Sequence, residues 1–91
     1  MDRDWIPLSD WDRVADGLRT FAAGAPVTET DEGLRVAFRS AHVEVTRDGR
    51  VEAGMPLHDL AAGDATAVAF DHDAGELHVR GAGVEYTFRR P

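Results

Sequence analysis

Residues 26–53, PVTETDEGLRVAFRSAHVEVTRDGRVEA, decide the fold, because apolar side chains recur there at every second position. Leu34, Val36 and Phe38 share one parity, while Val43 and Val45 share the other. Alternation of this kind marks half-buried strands. The change of parity requires a tight turn or a bulge between Ser40 and His42, since one added residue reverses the face of every later side chain. A second turn follows at Arg47-Asp48-Gly49. A three-residue loop with left-handed Gly49 sets Val45 against Val51 and Val43 against Ala53. A two-residue Asp48-Gly49 loop would set Val45 against Glu52, which is a poorer pair.

Upstream of this segment the period is helical. Trp11, Val14, Ala15, Leu18, Phe21 and Ala22 fall on one stripe, with Arg13, Asp16, Arg19 and Thr20 largely outside it. Ser9 is the expected cap, Asp10 and Asp12 suit the positive end of the helix dipole, and Gly24 and Pro26 end the element. A helix over about residues 9–23 is expected. Downstream, residues 54–65 read as a connection with one helical turn at 57–62. Val68 and Phe70, then Leu77 and Val79, then Val84, Tyr86 and Phe88 mark three further strands. A type II′ turn with Gly81 first would pair Val79 with Val84 and Leu77 with Tyr86, and would set His78 opposite Glu85 on the other face. The expected fold class is α+β, in one domain over 1–91: an N-terminal helix packed on a curled antiparallel sheet of about six strands.

Composition describes the surroundings of the chain better than its task. There is no lysine; ten arginines oppose 11 aspartates and 6 glutamates, for a net charge of −7. Asparagine, glutamine and cysteine are absent as well. Exposed carboxylates repel over a Debye length of about 10 Å at 0.1 M salt, and over only about 3 Å at 1 M. Excess acid is therefore tolerable in brine. The composition predicts a halophilic protein of the haloarchaeal kind. A GC-rich genome also favours Arg over Lys, but it does not explain the missing glutamine or the many aspartates. Without cysteine there is no disulfide, thiol nucleophile or thiolate metal site. The opening residues, MDRDWIPLSD, lack the zones of a secretory signal, and no apolar run is long enough for a membrane span. A soluble, cytoplasmic protein is expected.

Few residues stand out as chemistry. Asp71, His72 and Asp73, with Glu76 and His78 nearby, offer mixed nitrogen and oxygen ligands for a divalent metal. The competing interpretation is a solvated hairpin tip. His58 beside Asp59 could serve acid–base chemistry, although neighbours on an extended chain point apart. Ser9 and Ser40 are the only serines, and no glycine-rich loop has phosphate-cradling spacing. Trp5 and Trp11 suit either the core or an interface between two copies.

Two stretches, VEVTRDGRVEAGMPLHD (43–59) and LHVRGAGVEYTF (77–88), resemble the two halves of an Sm-like RNA-binding domain. The shared residues are Asp48-Gly49-Arg50 with Gly54, and Val79-Arg80-Gly81 before an aromatic strand. The resemblance implies a strongly bent five-stranded sheet after a helix, ring assembly, and Arg80 and Gly81 at a nucleotide pocket. The Asn-bearing loop of that family has no counterpart in a chain without asparagine.

The leading expectation is a salt-adapted binding or assembly module that self-associates as a homodimer, with no cofactor. Nucleic acid is an unfavoured partner for so acidic a surface. The alternatives are an Sm-like RNA binder and a metal-dependent or acid–base enzyme using the Asp71–His78 hairpin.

Overall fold

The computed structural model describes residues 4–55 and 58–90. Among them are one helix, α1 (Trp11–Ala22), and nine strands: β1 (Ile6–Pro7), β2 (Val27–Glu29), β3 (Gly33–Ala37), β4 (His42–Thr46), β5 (Val51–Met55), β6 (His58–Ala62), β7 (Ala65–Asp71), β8 (Glu76–Gly81) and β9 (Val84–Arg89). The strands form two antiparallel sheets, ordered β1-β7-β8-β9 and β2-β3-β4-β5-β6. The expected α+β arrangement, one helix on one curled sheet of about six strands, is therefore overturned. The protein is mostly sheet, in two layers with one short helix.

The difference originates at residues 54–65. Instead of a helical turn, residues 58–62 form β6, pairing Leu60 with Ala53 and Ala62 with Val51. That stretch has little strand propensity of its own, and its ladder to β5 supplies what propensity does not. After β6 the chain passes through Gly63 and Asp64 and enters the other sheet at Ala65. The corner is fastened on both sides: the Ala65 amide donates to the Gly49 carbonyl at 3.0 Å and the Ala82 amide to the Asp64 carbonyl at 3.3 Å.

The core lies between the sheets. Leu34, Val36, Val43, Val45 and Val51 face Val68, Leu77, Val79 and Phe88 within one buried cluster. Helix α1 packs against β3 of one sheet and β1 and β7 of the other, contributing Val14, Leu18 and Phe21. The apolar stripe read from the sequence is thus the buried one, but its start differs. Asp10 occupies the N-cap with no side-chain capping bond, because Ser9 is held in a turn where the Asp10 amide donates to the Pro7 carbonyl at 2.9 Å. At the other end Ala23 is left-handed, with φ 51°, and Gly24 follows with φ 93°.

Turn chemistry sets the register of each hairpin. Between β3 and β4 the turn is tight, with the Phe38 amide donating to the Ala41 carbonyl at 2.8 Å. Between β4 and β5, Gly49 is left-handed at φ 96° and the pairs are Val45–Val51 and Val43–Ala53, as read from the sequence. Thr46 is fully buried beside this loop; its hydroxyl bonds Asp48 and accepts the Arg50 amide at 2.9 Å. That hydroxyl, with the Arg50 amide, holds the Asp48 carboxyl below its usual pKa. The β8–β9 turn departs from expectation. Gly83, not Gly81, has the positive φ (74°), and Gly81 pairs with Val84. Val79 therefore faces Tyr86 and Leu77 faces Phe88, two residues away from the expected register.

Candidate functional site

Strand alternation divides the hairpin residues proposed as metal ligands. His72 has its ring stacked on Phe70, with centroids 5.5 Å apart and planes at 7°, on the side of the sheet that meets Phe21. His78 lies on the opposite face, paired across the ladder with Ala69 and Thr87. Asp73 is exposed at the tip, and Asp71 accepts the Ala74 amide at 3.0 Å to close the turn. No group of three or more acidic or His side chains is placed to hold a metal ion among the described residues. The hairpin does not assemble Asp71, His72, Asp73 and His78 into one site. His58 and Asp59 lie on β6, and their side chains fall outside those described.

On the outer face of the four-stranded sheet, a different set converges. His78 is 6% exposed. Its Nδ1 lies 2.9 Å from the Thr87 hydroxyl and its Nε2 lies 3.3 Å from Glu76 Oε1. The other oxygen of Glu76 accepts from Arg89 at 2.7 Å. That guanidinium is the main reason the Glu76 carboxyl sits below its usual pKa, so the group remains a carboxylate acceptor for the imidazole. The sequence reading missed this set because it paired His78 with Glu85. The available signal was Gly83: placing the left-handed residue there puts Thr87 opposite His78.

Arg80 and Gly81, the two residues matched to the Sm-like pocket, have other surroundings. Arg80 lies over the Trp5 ring, 4.3 Å from its centroid. Gly81 approaches the backbone at the sheet-switching corner so closely that a Cβ would overlap Asp64. The two stretches that carry the resemblance also fall in different sheets, so the single bent sheet it implies is not the one formed.

The arginines sort into kinds. Arg13, Arg19, Arg35, Arg50 and Arg89 pair with carboxylates within 4 Å. Arg47, Arg80 and Arg90 lie over Trp11, Trp5 and Phe21. Arg39 does neither among the described residues, and it stands with Arg90 at a groove of about 660 Å³ lined by Ala22, Ala25, Pro26, Ala37 and Phe38. Arg90 also donates to the Phe21 carbonyl at 2.8 Å, which ties the end of α1 to the end of β9. The groove is thus apolar in its lining and cationic at two points.

No known protein family, curated protein or solved structure matches this chain. No helix among the described residues is long and apolar enough to cross a membrane.

Proposed function

We propose that the protein is a small salt-adapted binding module that takes an organic anion with an apolar body in the groove between the end of α1 and the β3–β4 turn. The observation that carries this reading is Arg39. In a chain of net charge −7, it is the one arginine among the described residues with neither a carboxylate within 4 Å nor an aromatic ring beneath it, and it sits at an apolar groove. Arg90 keeps donors in reserve after its single bond to the Phe21 carbonyl. A planar fork of donors above an apolar floor suits a carboxylate or sulfonate attached to a ring or a short chain.

Anilinonaphthalene sulfonate is a direct probe, because it joins an anion to an aromatic body. Its fluorescence is expected to saturate on the folded protein in molar KCl. Reversing the rim charge with Arg39→Glu is expected to weaken binding about tenfold, the scale of one charge-assisted hydrogen bond. Equal affinity in the variant, with unchanged circular dichroism, would remove the groove from consideration.

Salt adaptation has its own support. Asp12, Asp16, Asp31 and Asp73 are exposed with no cation within 4 Å among the described residues, so their repulsion is relieved by screening rather than by pairing. Self-association belongs to the same proposal: β6, five residues long, is an outer strand of its sheet and can pair with a second copy. One salt series reads both properties. From molar KCl down to about 50 mM, where the Debye length exceeds about 10 Å, far-ultraviolet dichroism is expected to decline. Light scattering at the molar end is expected to give twice the chain mass. A spectrum that stays constant along the series refutes the adaptation, and a monomer mass refutes the pairing.

A further inference from the structure

We propose that Glu76, His78 and Thr87 form a relay that activates the Thr87 hydroxyl as a nucleophile toward carboxylic esters. This is an activity separate from the groove, on the outer face of the other sheet. Its parts are placed by strand pairing alone. His78 and Thr87 are cross-strand partners, and Glu76 lies two residues before His78, hence on the same face and opposite Arg89. One tautomer satisfies both contacts. With the proton on Nε2, the imidazole donates to Glu76 Oε1 at 3.3 Å, and the Nδ1 lone pair accepts the Thr87 hydroxyl proton at 2.9 Å. Carboxylate, imidazole and hydroxyl thus stand in the order that nucleophilic catalysis requires.

The surroundings fit the three roles. The base is sheltered, at 6% exposure, and its neighbour on β7 is the small, buried Ala69. The nucleophile is exposed and therefore accessible. Arg89 anchors the carboxylate from the far side, which holds Glu76 in place when the imidazole becomes charged.

A donor for the developing oxyanion follows from the ladder. The Arg90 amide donates to the Gly75 carbonyl at 2.7 Å, so residues 75 and 90 are a hydrogen-bonded pair. Antiparallel pairs alternate, which makes His78–Thr87 a non-bonded pair whose backbone groups point away from each other. On the outer strand β9, the Thr87 amide therefore faces the open edge of the sheet. The nucleophile's own N–H is a customary oxyanion donor.

In the reaction, Thr87 Oγ1 attacks the ester carbonyl carbon while His78 Nδ1 takes the hydroxyl proton. The bond to the leaving oxygen breaks as that proton is returned to it, releasing an alcohol and leaving an acyl-threonine. Water then attacks the acyl carbon, His78 takes a proton from the water, and collapse restores the threonine hydroxyl and frees a carboxylic acid.

The test uses p-nitrophenyl acetate and a fluorophosphonate, each with the full chain in molar KCl. Thr87→Val keeps the shape of an exposed side chain and removes only the hydroxyl, so it is expected to fold. We expect release of p-nitrophenolate to fall about a hundredfold in Thr87→Val, within the general-base range of roughly 10²–10⁴, and to persist in Thr87→Ser. We also expect the fluorophosphonate adduct to map to Thr87 and to disappear in Glu76→Gln, whose dichroism serves as the fold control. A Thr87→Val rate equal to that of the native chain, or an adduct mapped to any other residue, overturns the relay. The groove is untouched by these variants, so unchanged anilinonaphthalene sulfonate binding separates the two proposals.

Discussion

Phe21→Ala is expected to remove about 3–5 kcal/mol of stability, the range for emptying a fully buried aromatic site. A chain of this length holds roughly 5–14 kcal/mol in all, so the variant stands near the edge of folding. The site resists closing over the gap, because its walls belong to different elements. Phe38 lies 5.9 Å away beyond the end of β3, and Phe70 on β7 and Phe88 on β9 each lie 6.1 Å away. Both sheets meet α1 at this ring, and Arg90 lies over it at 5.6 Å. Collapse would have to move three backbones together. Urea unfolding in molar KCl reads the loss directly, and Phe21→Leu should recover more than half of it. A loss below about 1.5 kcal/mol for the alanine variant would mean that the sheets are held together without this ring.

How much of this was legible in the sequence depended on whether a segment's information was local. The face of α1 was legible because each apolar residue declares its own side through the helical period. The β4–β5 hairpin was legible because Gly49 has to be left-handed and only one loop length then pairs valine with valine. β6 was not legible: its ladder to β5 exists only once β5 is present. The register of β8 and β9 failed for a narrower reason. Two glycines, Gly81 and Gly83, stand one residue apart, and either could take the positive φ of the turn. The choice between them is made by residue 64, far away in sequence, which requires a glycine at position 81 for close approach. The displaced register hid Thr87 from His78, and with it the relay.

The absence of lysine also acquires a structural side. Three guanidiniums lie over aromatic rings, two of them the half-buried Trp5 and Trp11. A planar, weakly hydrated cation suits this role better than a compact ammonium, and attraction to a ring quadrupole adds about 0.5–1 kcal/mol at an exposed site. Arg80 and Arg47 thereby cover the two tryptophans. An Arg-rich composition is of use to the fold whether or not codon bias produced it.

Gly81→Ala is expected to cost about 3 kcal/mol or more, well beyond an ordinary glycine replacement, because three terms act together. A Cβ at position 81 would overlap the Asp64 carbonyl oxygen and lie 2.8 Å from both the Asp64 carbonyl carbon and the Ala65 Cα. All three are backbone atoms, so no side-chain rotation relieves the overlap, and forcing extra volume into packed structure costs about 1–3 kcal/mol by itself. Relief requires moving the start of β7, which breaks the Ala65–Gly81 pairing and the bond from the Ala82 amide to the Asp64 carbonyl. Each such hydrogen bond contributes about 0.5–1.5 kcal/mol. The third term is the corner itself, where the chain leaves one sheet for the other and the Ala65 amide is tied to the Gly49 carbonyl. Gly83→Ala is the matched control: its φ of 74° strains any side chain, but nothing lies within 4 Å of the added methyl. Backbone strain alone is about 1–2 kcal/mol, so denaturant midpoints should separate the two variants clearly, with position 81 the more damaging. Equal losses would mean that the close approach of residues 64 and 81 does not hold the corner. A Gly81→Ala protein of native stability would reopen a ligand-binding role for the Arg80-Gly81 pair.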